Sequence, residues 1–341
     1  MTKPKSVLII RLSAMGDVAM TSPIVHELCQ QNPDCRFTFL STGFFKPFFK
    51  EHSNFRFFGT DIKKSGKGLR GIIKLYRELR QLEDFDLVID IHNVLRTKIL
   101  SLLFRLTGVK VLVMDKGRQE KRALVRKDNK QLRPLMGTID RYASIVREAG
   151  LNLILKNEFP LAGLTLSDKV QDLVGEKACF WIGIAPFAQH KGKIYPLEAM
   201  EEVVRLLNER RDVRLFVFGG GASERAVAES LEAKFDNCVS VIGKLKLNEE
   251  LELISKLDCM VSMDSSAMHM ASLAGVRVVS VWGATHPYAG FLGYKQEYSD
   301  AVQLDLDCRP CSVYGNKPCY KGTYECMAIP PPRIVDKIFE K

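Results

Sequence analysis

Cys259-Met260-Val261-Ser262-Met263-Asp264-Ser265-Ser266-Ala267-Met268-His269 decides the fold. Five apolar or small residues end abruptly in an acid and two serines, and a helical pattern then runs to Ala274. The short apolar run reads as a buried strand, and Ser265 or Ser266 is placed to cap the helix. The next apolar run, Arg277–Trp282, is again a strand. Working backwards, helix Asn248–Leu257 (capped by Asn248), strand Val239–Ile242, helix Ser223–Lys234, strand Val213–Phe218, helix Leu197–Arg210 and strand Phe180–Ala185 continue the alternation. Apolar strands separated by amphipathic helices predict a parallel sheet covered on both faces.

The same pattern fills the N-terminal half. Strands are expected at Ser6–Ile10, Arg36–Leu40, Phe55–Phe58, Asp86–Ile91 and Val109–Val113, and helices within Ser13–Gln31 and at Leu69–Leu82, Val94–Leu106 and Thr138–Ala149. At roughly 100–200 residues per domain, 341 residues make about two domains. The expectation is α/β: two Rossmann-like domains, joined near 155–175, with parallel sheets facing a cleft. Ligands of such sheets sit where strands stop.

Composition narrows the class. With 46% hydrophobic and 26% charged residues the chain has a globular core, and no stretch is apolar enough to span a membrane. The run Val7–Ile10 is too short for a secretory signal, so a cytoplasmic protein is expected. Residues 1–160 carry 29 lysines and arginines against 16 acids, a balance of +13, while 161–341 stand at −3. Arg118, Lys121, Arg122, Arg126 and Lys127 concentrate that charge, which suits an anionic partner: nucleic acid, a phosphorylated ligand or an anionic membrane surface. Nucleic acid is the less favoured reading, because the basic stretch Lys110–Arg133 contains no aromatic residue.

Candidate chemistry lies at the strand ends. After the first strand, Arg11-Leu12-Ser13-Ala14-Met15-Gly16-Asp17 puts an acid behind a glycine turn, where it can act as a general base or stabilise a helix start. Gly219-Gly220-Gly221 lets backbone approach a ligand, but Glu224 stands where a dinucleotide fingerprint needs its third glycine. That break, and the single glycine after the first strand, disfavour a nicotinamide oxidoreductase. Lys191 and Lys193 lie in a loop leaving a strand and can meet phosphate. A capped helix start at Ser265 or Ser266 leaves amides for an anion, with His269 in the first turn.

Taken together, Arg11-x-Ser13-x-x-Gly16-Asp17-x-x-x-Thr21-x-Pro23, Lys193-x-Tyr195-Pro196, Asp264-Ser265-x-x-x-His269 and Val281-Trp282-Gly283-Ala284-Thr285-x-Pro287 resemble the bacterial heptosyltransferases of glycosyltransferase family 9. The tail Cys308-x-Pro310-Cys311, Cys319 and Cys326 belongs to the same resemblance. It implies a GT-B fold with an acceptor-binding domain over 1–160, a nucleotide-sugar domain over 161–330, and a final helix in 331–341 packing back on the first domain. It implies an inverting transfer of heptose from ADP-heptose to a lipid-anchored, phosphorylated lipopolysaccharide acceptor, without metal or other cofactor, at the inner face of the inner membrane. Asp17 would be the base; Lys193, Asp264, Ser265, Ser266, His269, Gly220 and Glu224 would hold the donor; Arg96, Arg118 and Arg122 would hold the acceptor. Ser266 and Tyr195 stand where the family often has Gly and Trp, which leaves another nucleotide-sugar open. Asp305-Leu306-Asp307 lies too late in the chain to be read as a metal-binding pair. The four tail cysteines contain one C-x-x-C half of a zinc site and otherwise read as reduced thiols.

Overall fold

The computed structural model describes residues 4–61, 68–156 and 158–340; the expectations touching Met1–Lys3, residue 157 and Lys341 lie outside them. Contacts divide the chain into two compact units, Met1–Lys116 with Thr138–Pro160, and Gly117–Gly137 with Leu161–Lys341. The division departs from the expected 1–160 and 161–330: the basic segment 117–137 belongs with the second unit.

In the first unit, strands β1 (Ser6–Ile10), β2 (Arg36–Thr42), β3 (Phe55–Thr60), β4 (Leu87–Asp90) and β5 (Lys110–Val113) form one sheet in the order β3-β2-β1-β4-β5. Every pairing is parallel. Val7, Leu8, Ile9 and Ile10 are buried on both faces of the central strand, which is why this run is continuously apolar.

The second unit holds β6 (Phe180–Ala185), β7 (Val213–Val217), β8 (Cys238–Ser240), β9 (Cys259–Met263), β10 (Arg277–Val281) and β11 (Ala301–Val302), in the parallel order β11-β10-β9-β6-β7-β8. Gly183 in β6 lies against the ends of two flexible side chains. A Cβ there would lie 2.7 Å from both Leu257 Cδ1 and the Met260 side chain. The helix after β8 spans Leu247–Ile254, one residue earlier than expected. Lys246, not Asn248, precedes it, and its backbone amide donates to Glu249 Oε2 at 2.7 Å.

Both α/β units bear out the expected fold class. The last helix does not behave as expected. It begins at Pro331, because a proline in the first turn loses no helical hydrogen bond, and it ends at Phe339. It packs in the second unit, where the expectation places it on the first. Ile334 and Ile338 are buried among Ile182, Val203, Val279 and Val302. Arg277 donates from Nη1 to the Ile338 carbonyl at 3.0 Å and from Nη2 to the Lys337 carbonyl at 3.0 Å, satisfying the helix's C-terminal end. Replacing Ile338 by Ala should therefore cost about 2–5 kcal/mol of stability in urea denaturation. An unchanged denaturation midpoint would contradict this packing.

Candidate functional site

Candidate residues gather in each unit where the order of successive strands reverses. In the first unit, β2 and β3 lie to one side of β1, and β4 and β5 to the other. The connections leaving β1 and β4 therefore diverge, opening a crevice at their carboxyl ends. Arg11 follows β1. Its guanidinium forms an ion pair with Asp17 Oδ2, donates from Nη1 to the Ile91 carbonyl after β4 at 2.9 Å, and lies 6.0 Å from the Tyr142 ring centre. Arg11 is buried, whereas the Asp17 side chain keeps 32% of its surface exposed. A fixed cation thus aims a carboxylate that remains accessible to a substrate.

The turn after β4 is built by Asp90. Its Oδ1 accepts from the amides of His92 (2.9 Å) and Asn93 (2.8 Å). Asn93 sits at φ +46°, and its Nδ2 donates to the Met114 carbonyl at 2.9 Å. His92 is buried, and its Nδ1 finds no hydrogen-bond partner among the described residues. Burial, with Arg11 and Lys116 nearby and only Asp17 opposing, pushes its pKa down to about 3. The imidazole is therefore neutral at neutral pH. Arg96, six residues after the end of β4, is half-buried on helix Leu95–Leu106.

The second unit repeats the arrangement at the junction of β6 and β9. The loop after β6 carries Lys193 at the end of a short 3-10 turn, Lys191–Lys193. Its Nζ lies 2.8 Å from Asp264 Oδ2, the first residue after β9. Lys193 is 15% exposed and Asp264 4%. Helix Ser266–Leu273 follows. Ser265 occupies the capping position, yet its side chain makes no cap hydrogen bond and meets Ser262 Oγ at 3.2 Å instead. The first amides of the helix are therefore not consumed by a side chain, as an anion site requires. His269, one turn in, is buried.

Gly315 packs on the Lys193 stem. A Cβ there would come 2.6 Å from Lys193 Cγ, and its φ is +71°. The tail around it is anchored by Arg309. This guanidinium donates to the carbonyls of Gly283 (2.5 Å), Trp282 (3.1 Å) and Thr285 (3.0 Å), to that of Leu304, and to Gln303 Oε1 at 2.9 Å. Cys308, Cys311, Cys319 and Cys326 line one pocket beside it. All four are unbridged, and burial holds the Cys311 and Cys326 thiols above their usual range, the latter at about 11. Among the described residues, no group of three or more His, Cys, Asp or Glu is arranged to hold a metal ion.

Two sets of expected residues are thus assembled, Asp17 in the first unit and Lys193, Asp264, Ser265, Ser266 and His269 in the second. Glu224 is turned to its own loop: its Oε2 accepts from the Gly220 amide at 2.6 Å. Arg118 and Arg122 are exposed on helix Arg118–Leu124, in the second unit rather than the first. Sequence reasoning assigned no role to Arg11, His92, Arg309 or Gly315. Of these, Arg11 stands inside a quoted motif, which is the available signal.

Residues 72–320 match the family model described as glycosyltransferase family 9 (heptosyltransferase). The chain belongs to this family. It is therefore a glycosyltransferase of the heptosyltransferase type. Among curated relatives, a lipooligosaccharide heptosyltransferase 2 of Haemophilus influenzae is 25% identical over 310 residues, covering 83% of this chain and 84% of its own. The lipopolysaccharide core heptosyltransferase OpsX of the same organism is 22% identical over 295 residues, covering 83% and 80%. A family 9 glycosyltransferase structure from Veillonella parvula superposes with a TM-score of 0.77 at 17% identity over 100% of this chain and 99% of that one. The Escherichia coli heptosyltransferase WaaC solved with ADP gives 0.63 at 20% identity, covering 85% and 92%. These neighbours share the GT-B fold.

His92 provides a test of the first-unit geometry. Its folded pKa lies below the ordinary value of about 6.5, so the unfolded chain takes up a proton that the folded chain refuses. Its contribution to stability is complete above pH about 6.5 and is lost as pH falls towards about 3, at up to about 1.4 kcal/mol per pH unit. Urea denaturation at pH 7 and pH 5 should show a smaller acid loss for His92→Gln than for wild type. Equal losses would mean that the ring is not held neutral.

Proposed function

We propose that this glycosyltransferase moves heptose from ADP-heptose to an inner-core lipopolysaccharide acceptor, with inversion and without a metal ion. The observation that carries the reading is that each unit holds its own strand-end site: an accessible, Arg11-held carboxylate in the first, and a lysine beside an open helix start in the second. The names of the curated relatives support a lipopolysaccharide acceptor, and the WaaC structure, solved with ADP, supports the donor.

In this mechanism Asp17 takes the proton of the acceptor hydroxyl as its oxygen attacks the anomeric carbon from the side opposite the leaving group. The bond from that carbon to the diphosphate oxygen breaks, and its electron pair leaves with ADP. The added negative charge is met by Lys193, His269 and the amides following Ser265 and Ser266. Asp264 keeps the lysine in place. The Gly219–Gly221 turn, closed by Glu224 on Gly220, brings backbone close to the nucleotide. Direct displacement at one face inverts the anomeric configuration. The ammonium and helix start supply the positive charge that a divalent cation otherwise would.

Arg96, Arg118 and Arg122 supply cationic charge for the phosphates of a lipid-anchored acceptor. Such an acceptor calls for peripheral contact with an anionic membrane surface, at the inner face of the inner membrane. No helix among the described residues is long and apolar enough to cross a membrane.

Asp17→Asn keeps the shape of the side chain and removes the base. Transfer from ADP-heptose to heptose-deficient lipopolysaccharide, followed by mass spectrometry, should fall about 10²–10⁴-fold while ADP affinity is retained. Wild-type transfer should persist in EDTA. Wild-type rates for the Asn variant would reduce Asp17 to a helix-start acid, and abolition by EDTA would return the charge on the leaving group to a metal.

A further inference from the structure

Helix Leu95–Leu106 buries Thr97, Leu100, Ser101 and Phe104 against its own unit. At about 100° per residue, the side turned furthest from these four bears residues 95, 99, 102 and 106. On an ordinary surface helix that side is polar. Here it is Leu95, Ile99, Leu102 and Leu106, with Leu95 exposed to 77%, Leu102 to 52% and Leu106 to 74%. Leu95, Leu102 and Leu106 are therefore the outermost line of the helix, while Ile99 beside them is half-buried and packs on the core of the unit. Lys98 and Arg105 are exposed along one flank of it. Across residues 91–114 the chain has four basic side chains and no acidic one.

We propose that this helix is the membrane-docking surface of the enzyme, lying in the plane of an anionic bilayer with its leucines among the acyl chains and Lys98 and Arg105 at the headgroups. Leucine outward with lysine and arginine beside it is the composition of an interfacial helix. The charge argues against a second copy of the chain as occupant, since each face would bring its cations to those of the other with no acid to pair them. The stripe has no aromatic side chain on which nucleic acid bases would stack. The inference places the proposed membrane contact on this helix, and not on the basic helix Arg118–Leu124.

The purpose of docking rests on the lipid-anchored acceptor of the proposed function, but its test does not. The full chain is floated with vesicles of phosphatidylethanolamine, with and without phosphatidylglycerol, containing no acceptor. Wild type should float with the anionic vesicles and release in high salt. Leu102→Ser with Leu106→Ser should reduce binding at least about tenfold, and so should Lys98→Glu with Arg105→Glu. These side chains are exposed, so all variants should keep the wild-type unfolding temperature and wild-type transfer to a lipid-free acceptor fragment. The inference is overturned if wild type does not float, if the leucine variant floats equally well, or if wild type is a dimer in solution that the leucine variant disperses. Flotation without transfer would count against the proposed function alone, and transfer without flotation against this inference alone.

Discussion

The ion pair between Lys193 and Asp264 spans the junction of β6 and β9, and the donor side of the account depends on it. It places an ammonium at the carboxyl ends of two strands whose connections diverge. A pair this buried is poor evidence for stability, because desolvating both charges costs much of what their attraction returns. It holds the flexible lysine stem, with Gly315 packed on the stem and Asp264 on its charge. On the proposed function, an incoming diphosphate would meet a cation whose ordering cost is already met. The first unit solves the same problem with a different residue. Arg11 spans β1 and β4, reaching the Ile91 carbonyl and Asp17 at once. In that unit the cation is buried and the carboxylate it holds is the accessible partner.

What holds the second-unit loops is a web of carbonyls around one buried guanidinium. Arg309 gathers the turn after β10, from Trp282 to Thr285. The Gly192 carbonyl accepts from the Ala284 amide at 2.9 Å, which ties that turn to the residue before Lys193. The tail, read from its sequence as half of a zinc site or as reduced thiols, thus reaches the loop of Lys193 through backbone hydrogen bonds. Burial lowers the pKa of Arg309, yet its donors are so fully used that the charge remains compensated.

The strands were legible because a parallel strand buried on both faces is an uninterrupted apolar run, and Asp17, Lys193, Asp264 and His269 were legible because each follows such a run. The partners were not. Arg11 and Ile91 are far apart in sequence and meet only because β1 and β4 are neighbours, a pairing that no local pattern encodes. His92 stood in plain view after a strand, but its neutral state follows from burial beside Arg11 and Lys116. The last helix was assigned to the wrong unit because its apolar face says that it packs and not where; Arg277 and the surroundings of Ile334 and Ile338 decide that. Segment 117–137 was misplaced for a similar reason, since charge density read along the chain does not reveal that the segment leaves the first unit and the chain then returns.

The central claim is that Lys193, held by Asp264, receives the leaving diphosphate of an adenosine nucleotide-sugar. Calorimetric titration of the full chain with ADP, UDP and adenosine tests it most directly, in wild type and in Lys193→Gln, which keeps a donor beside Asp264 and removes the charge. The account predicts that wild type binds ADP more tightly than UDP. It also predicts that the variant loses about tenfold or more in ADP affinity while its adenosine affinity is unchanged. Equal affinity for ADP and UDP, or a variant that binds ADP as wild type does, would contradict it.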